Sequence, residues 1–167
     1  MENKSFFVKG KEYIVEELIG HGKGGYSYRV SDEDGNIYTL KKLHHEPCDY
    51  YSFGDKFASE MNDYNLLKDF LLMPKLIETD KEKEIIIKEY IDGDSIDDLI
   101  KQNIDISKYL EQIKMIASKC YKRGLNIDYY PTNFIVYNDQ LYYVDYECNK
   151  YMEEWNFENW GIKYWQQ

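Results

Sequence analysis

Asp128, Asn133 and Asp145 are the residues of this chain whose types and spacing suggest shared chemistry. The first two lie in Asn126-Ile127-Asp128-Tyr129-Tyr130-Pro131-Thr132-Asn133, a loop-like segment running into a strand. The third ends the next strand, in Leu141-Tyr142-Tyr143-Val144-Asp145-Tyr146. One carboxylate to orient a hydroxyl, with an amide and a second carboxylate to hold Mg2+, is what phosphoryl transfer requires. Taken singly, each is better explained as an Asx-turn residue. Taken together, downstream of two further features, they favour a common site.

The first of those features is Gly20-His21-Gly22-Lys23-Gly24-Gly25, which contains GxGxxG. The dinucleotide-binding version needs a helix directly after it, whereas Tyr26-Ser27-Tyr28-Arg29-Val30 prefers a strand. No GxxxxGK[ST] occurs, so this is not a P-loop. Glycines at a β-hairpin tip suit a flap whose amides lie over phosphates, and the plain alternative is a flexible turn. The second feature is Lys41 with Glu60. In a strand Lys41 and Lys42 point to opposite faces, so at most one faces inward, and alternation does not decide between them. An inward ammonium needs a partner charge, for which Glu60 is the candidate. The plain alternative is three solvated side chains.

The elements that must position these residues follow from period and punctuation. Residues 12–20, 25–32 and 36–43 read as strands, with Asp34-Gly35 as a hairpin turn. Phe57, Met61, Tyr64, Leu67 and Leu71 share one helical face within 53–72, and Pro74 stops that helix. Residues 75–79 and 84–91 make two more strands. Ser95 caps a short helix, and a longer one over 107–123 stops at Gly124. Strands over 133–137 and 141–146 form a small hairpin. The tail from Met152 reads as one short helix, with Phe157, Trp160 and Tyr164 packed inward. Trp155 and Trp165 fall off that stripe and mark a candidate partner surface. Lys88 reads as a strand residue facing solvent.

Composition limits the alternatives. The chain has 167 residues, a net charge of −10 and 17% aromatics, including 18 tyrosines. That aromatic content argues for a packed fold despite the charge. The acidity removes the diffuse attraction to nucleic acid or anionic lipid, so neither direct nucleic-acid binding nor membrane binding is expected. Three widely spaced cysteines make neither a disulfide framework nor a CxxC zinc site. His44-His45 with Cys48 has too few ligands for a metal site. No signal-like or membrane-spanning apolar run occurs, so a cytoplasmic protein is expected.

LIGHGKGGYSYRV, YTLKKL, Glu60, IIIKEYIDG and NIDYYPTNFIV…YYVDYE, in that order, resemble the protein-kinase-like superfamily over nearly the whole chain. The resemblance implies an α+β bilobal fold. Residues 1–91 would form an N-lobe with a five-stranded antiparallel sheet and one helix, and residues 92–167 a truncated, mostly helical C-lobe. It implies that Gly20, Gly22 and Gly25 cover ATP phosphates and that Lys41 grips them, held by Glu60. Glu89 and Ile91 would meet adenine through their backbone. Asp128 would be the catalytic base, and Asn133 and Asp145 the Mg2+ ligands. The implied activity is transfer of the γ-phosphate to a hydroxyl of a protein or small molecule, as in serine/threonine kinases.

Several positions depart from the pattern. Asn126 stands where the catalytic loop usually opens with His, and Asp145-Tyr146-Glu147 replaces Asp-Phe-Gly. The latter is similar to choline and aminoglycoside phosphotransferases. The few residues after Asp145 resemble minimal Bud32-like and lipopolysaccharide-kinase-like groups, with a partner or homo-oligomer expected to complete the short lobe. Asn159-Trp160-Gly161 echoes the Asp-x-Gly start of the helix that braces the catalytic loop. The alternative is a pseudokinase, a nucleotide-binding scaffold without turnover.

Overall fold

The computed structural model describes residues 4–22, 24–46 and 55–166, so Lys23, Pro47, Cys48 and Phe53 lie outside the described residues. The fold is α+β, built around an antiparallel sheet with a few helices. Two compact units divide the chain: Met1–Ser59 with Pro74–Tyr90, and Glu60–Met73 with Ile91–Gln167.

The first unit is a sheet of six strands, one more than the sequence predicts. They are β1 (Ser5–Val8), β2 (Lys11–His21), β3 (Gly25–Ser31), β4 (Ile37–Leu43), β5 (Leu76–Asp80) and β6 (Ile85–Glu89), in the order β1-β2-β3-β4-β6-β5. The added strand, β1, folds back on β2 through Lys9 and Gly10, both at positive φ (50° and 81°), as a two-residue hairpin turn requires. At the next hairpin the Asp32 carboxylate accepts from the amides of Asp34 and Asn36, and Gly35 takes φ 82°. Val8, Tyr13, Tyr28, Val30, Leu40, Ile85 and Ile87 bury one face.

Register settles the question that alternation leaves open. Leu40 pairs with Tyr28 and Ile87, and Lys42 pairs with Ile85, so Lys42 shares the face of that buried cluster. Its Nζ reaches the Lys83 carbonyl. Lys41 takes the opposite face, paired with Ser27 and Ile86. Lys88 lies on this second face, since it pairs with Thr39. It is only 5% exposed, which corrects the expectation of a solvated lysine. The reason is topological: β6 lies between β4 and β5, and every residue from Ile85 to Lys88 is buried.

Helix α1 (Lys56–Leu67) opens at Asp55, whose carboxylate accepts from the Ala58 amide at 3.0 Å. It is shorter than predicted: residues 68–71 continue only as turns, with the Leu71 amide on the Leu67 carbonyl.

The second unit contains α2 (Ile96–Lys101), α3 (Ser107–Lys122), β7 (Leu125–Ile127), β8 (Phe134–Tyr137), β9 (Gln140–Tyr143) and β10 (Cys148–Lys150). Ser95 and Asp98 form a reciprocal capping box at α2, and Gly124 ends α3 at φ 70°. Gly93 is a steric necessity, because a Cβ there would lie 2.0 Å from the Val136 carbonyl oxygen. α3 buries Ile113, Ala117 and Cys120.

The tail departs from expectation. Instead of one helix it forms a 3-10 turn (Glu153–Trp155), a π turn (Phe157–Gly161) and a second 3-10 turn (Ile162–Trp165). A π turn holds an extra residue, so the stripe slips. Phe157 stays buried, but Tyr164 is exposed and Trp165 is fully enclosed, its indole N–H donating to the Tyr129 carbonyl at 2.7 Å. Trp165 is therefore core and cannot mark a partner surface, while Trp155 remains exposed.

Candidate functional site

Two short ladders in the second unit run out at the same place. β7 pairs with β10 so that Ile127 faces Cys148, which leaves Asp128 and Glu147 as the adjoining residues just past the paired rungs. β8 pairs with β9 so that Phe134 faces Tyr143, and one step beyond this pair the Val144 amide donates to the Asn133 carbonyl at 3.0 Å. Asp145 follows directly.

A buried tyrosine stitches the two ladders together. The Tyr143 hydroxyl accepts from the Asp128 amide at 3.1 Å and donates to the Glu147 carbonyl at 2.8 Å. Burial first, then the charges of Asp145 and Glu147, push the Tyr143 pKa well above its ordinary value, so the donated proton stays in place.

The result is a cluster of three half-buried acids. Asp128, Asp145 and Glu147 each offer an oxygen, and these atoms lie within 4.8 Å of one another. Asn133 belongs to the same corner, its Nδ2 donating to the Asp128 carbonyl at 3.3 Å. An all-oxygen set of this kind fits a hard divalent cation such as Mg2+. Asp63 adds negative charge nearby. Its carboxylate accepts from the Cys148 amide at 3.3 Å, and burial, with Asp145 contributing, raises its pKa. Burial, then Asp63, pushes the Cys148 thiol up to about 12, so it is no nucleophile near neutral pH.

The loop that carries Asp128 is held as an Asx turn, the plainer of the two sequence readings. Asp128 Oδ1 accepts from the Tyr130 amide at 3.1 Å, and Pro131 opens a 3-10 turn that ends at Asn133. The structure thus gives Asp128 a turn role and a place among acids. Asn126 is buried, with its Nδ2 on the Met152 carbonyl at 2.9 Å and its Oδ1 accepting from the Tyr129 hydroxyl at 3.5 Å. Glu147 is the residue that the sequence reading missed. The signal was visible as an acid in place of the usual glycine, but only the β7–β10 register brings it to Asp128.

In the first unit, register sets Gly20 opposite Ser27, which faces Lys41, with a bulge between Leu18 and Gly20 making that alignment. Gly20, Gly25 and Lys41 therefore occupy rows of one sheet face. Gly25 must be glycine, since a Cβ would lie 2.6 Å from the Lys42 carbonyl oxygen. Gly22 closes the hairpin tip, its amide donating to the Gly25 carbonyl at 3.0 Å. The Glu89 amide donates to the Lys75 carbonyl at 2.9 Å, which leaves at most its carbonyl for a ligand. Lys41 and the glycines belong to the first unit; Glu60, Ile91, Asp128, Asn133 and Asp145 belong to the second.

No protein-family model matches the chain. Among curated proteins it is similar to a probable bifunctional tRNA threonylcarbamoyladenosine biosynthesis protein of Methanocaldococcus jannaschii, at 27% identity over 149 residues. The match covers 86% of this chain, which spans 27% of that relative's length.

Proposed function

We propose that this protein is an ATP- and Mg2+-dependent phosphotransferase that moves the γ-phosphate to a hydroxyl of a protein or small molecule. The observation that carries the reading is the oxygen cluster of Asp128, Asp145 and Glu147 beside Asn133. The placement of Lys41 on the sheet face of Gly20 and Gly25 supports it from the nucleotide side. The archaeal relative, of the Bud32 type within the protein-kinase-like superfamily, supports the same class.

In this reading Asp145, Asn133 and Glu147 hold Mg2+, which when bound neutralises charge on the phosphates. The turn at Gly20, Gly22 and Gly25 covers the phosphates, and Lys41, held by Glu60, pairs with them. Glu89 and Ile91 hold adenine through their backbone. Asp128 orients the acceptor hydroxyl and takes its proton as that oxygen bonds to the γ-phosphorus and the bond to the β-phosphate oxygen breaks. The lobes would be residues 1–91 and 92–167. The scaffold alternative rests on Asn126, on Glu147 in place of the usual glycine and on the short lobe; of these, Asn126 serves the loop framework through hydrogen bonds to Met152 and Tyr129.

Thermal melting with and without Mg·ATP, followed by ATP turnover in wild type and Asp128→Ala, tests the proposal. A rise in melting temperature and a turnover loss on the order of 100-fold are expected. Absence of any ATP-dependent shift would sink the nucleotide reading, and equal turnover in the two proteins would leave the scaffold.

A further inference from the structure

The glycine turn carries a second group of ligand atoms, independent of the phosphotransferase reading. His21 ends β2, while His44 and Glu46 follow β4, and strand pairing brings them to one spot. One nitrogen of each histidine and a carboxylate oxygen of Glu46 lie within 4.8 Å of one another. His21 Nε2 is 3.8 Å, and His44 Nδ1 3.6 Å, from Glu46 Oε2.

The surroundings orient these atoms. His44 Nε2 is 2.8 Å from the Gly22 carbonyl, which can only accept, so that nitrogen carries the proton. His44 Nδ1 therefore holds the ring's one in-plane lone pair on the side of Glu46, where it accepts from the Glu46 amide at 3.2 Å, a bond that a cation ligated there would displace. A carbonyl fixing the far nitrogen is the arrangement that tunes metal-bound histidines. The Tyr26 hydroxyl donates to Glu46 Oε2 at 2.5 Å, and the His21 ring stacks on Tyr26 at 4.2 Å. His45 points elsewhere, to Glu84 at 2.7 Å.

We infer that His21, His44 and Glu46 form a binding site for a borderline divalent cation of the Zn2+ type, with a water as fourth ligand. Two imidazoles and one carboxylate are a zinc donor set, unlike the all-oxygen set of Asp128, Asp145 and Glu147. Tetrahedral zinc with bonds near 2.05 Å needs ligand atoms about 3.3 Å apart, so the spacings close with small side-chain rotations. A bound cation would pin the glycine turn to the segment after β4. The sequence reading set aside His44-His45 with Cys48; in the structure His45 turns to Glu84 and His44 instead meets His21 and the nearby Glu46, while Cys48 lies outside the described residues.

Isothermal titration of the full chain with ZnCl2 in Mg2+-containing buffer tests the site. Wild type and Asp145→Asn are expected to bind one Zn2+ alike. His21→Ala and Glu46→Gln are expected to bind it about 10- to 100-fold more weakly. Co2+ substitution should give visible d–d bands in wild type that are lost in His21→Ala. Wild-type affinity in His21→Ala, or loss of the Zn2+ site in Asp145→Asn alone, overturns the proposal. Since His21 is an exposed side chain, its replacement leaves the fold intact, and a far-ultraviolet spectrum matching wild type verifies this.

Discussion

The two groups of ligand atoms in this protein are built by opposite means. The acids of the second unit stand where two ladders end, on a floor of packed aromatics: Tyr143 against Phe134, Phe134 against Trp165, and Trp165 against Phe157. The histidines of the first unit stand on a turn, held by ring stacking and by hydrogen bonds open to solvent. Donor type separates the two groups more sharply than burial, since the His44 side chain is only 11% exposed while His21 and Glu46 are about half exposed. Carboxylates kept half-buried and close repel one another, so they need a rigid frame and a hard cation. Neutral imidazoles tolerate a looser, wetter mount.

The largest expected effect comes from removing the floor. Trp165→Ala should destabilise the protein by about 3–5 kcal/mol in urea unfolding, while exposed Trp155→Ala stays within about 0.5 kcal/mol. Equal losses from both would contradict a frame centred on Trp165.

The turn is tested next. Gly25→Ala forces a Cβ to 2.6 Å from the Lys42 carbonyl oxygen, and should cost about 1–3 kcal/mol. Gly22→Ala meets nothing within 4 Å and should be near neutral. If the two variants melt together, the hairpin tip does not depend on the close approach of β3 to β4.

The smallest effect probes the cost of keeping the Asp63 carboxylate buried, with Asp145 adding a lesser repulsion. Asp63 has a raised pKa through burial, so folding favours its protonated form. That contribution is fully present below its ordinary value of 3.8 and is lost as pH rises through the folded value. Asp63→Asn should therefore raise the melting temperature at pH 7, with the gain fading toward pH 3. A gain that is the same at both pH values would remove Asp63 from the electrostatics of the cluster.

Local chemistry made much of this legible in advance. Asp34-Gly35, Ser95 with Asp98, and Gly124 each act within a few residues, and all do what their types predict. The helix over 107–122 follows its apolar stripe. Asp128, Asn133 and Asp145 stand out in the sequence because they lie where one element gives way to the next, and the two ladders bring them to one corner. Where the reading failed, the deciding partner was distant in sequence. Trp165 is inside because a π turn shifts its stripe against Tyr129. Lys88 is inside because β6 has neighbours on both sides.

The chain by itself determined its turns, caps and strand candidates, because backbone dihedral preference and side-chain period are properties of a few consecutive residues. Only the tertiary structure decided that Glu147 joins Asp128, that Lys41 rather than Lys42 lies on the glycine face, and that His21 meets His44 and Glu46. Those juxtapositions are set by strand register, where a slip of a single residue would turn every side chain to the other face.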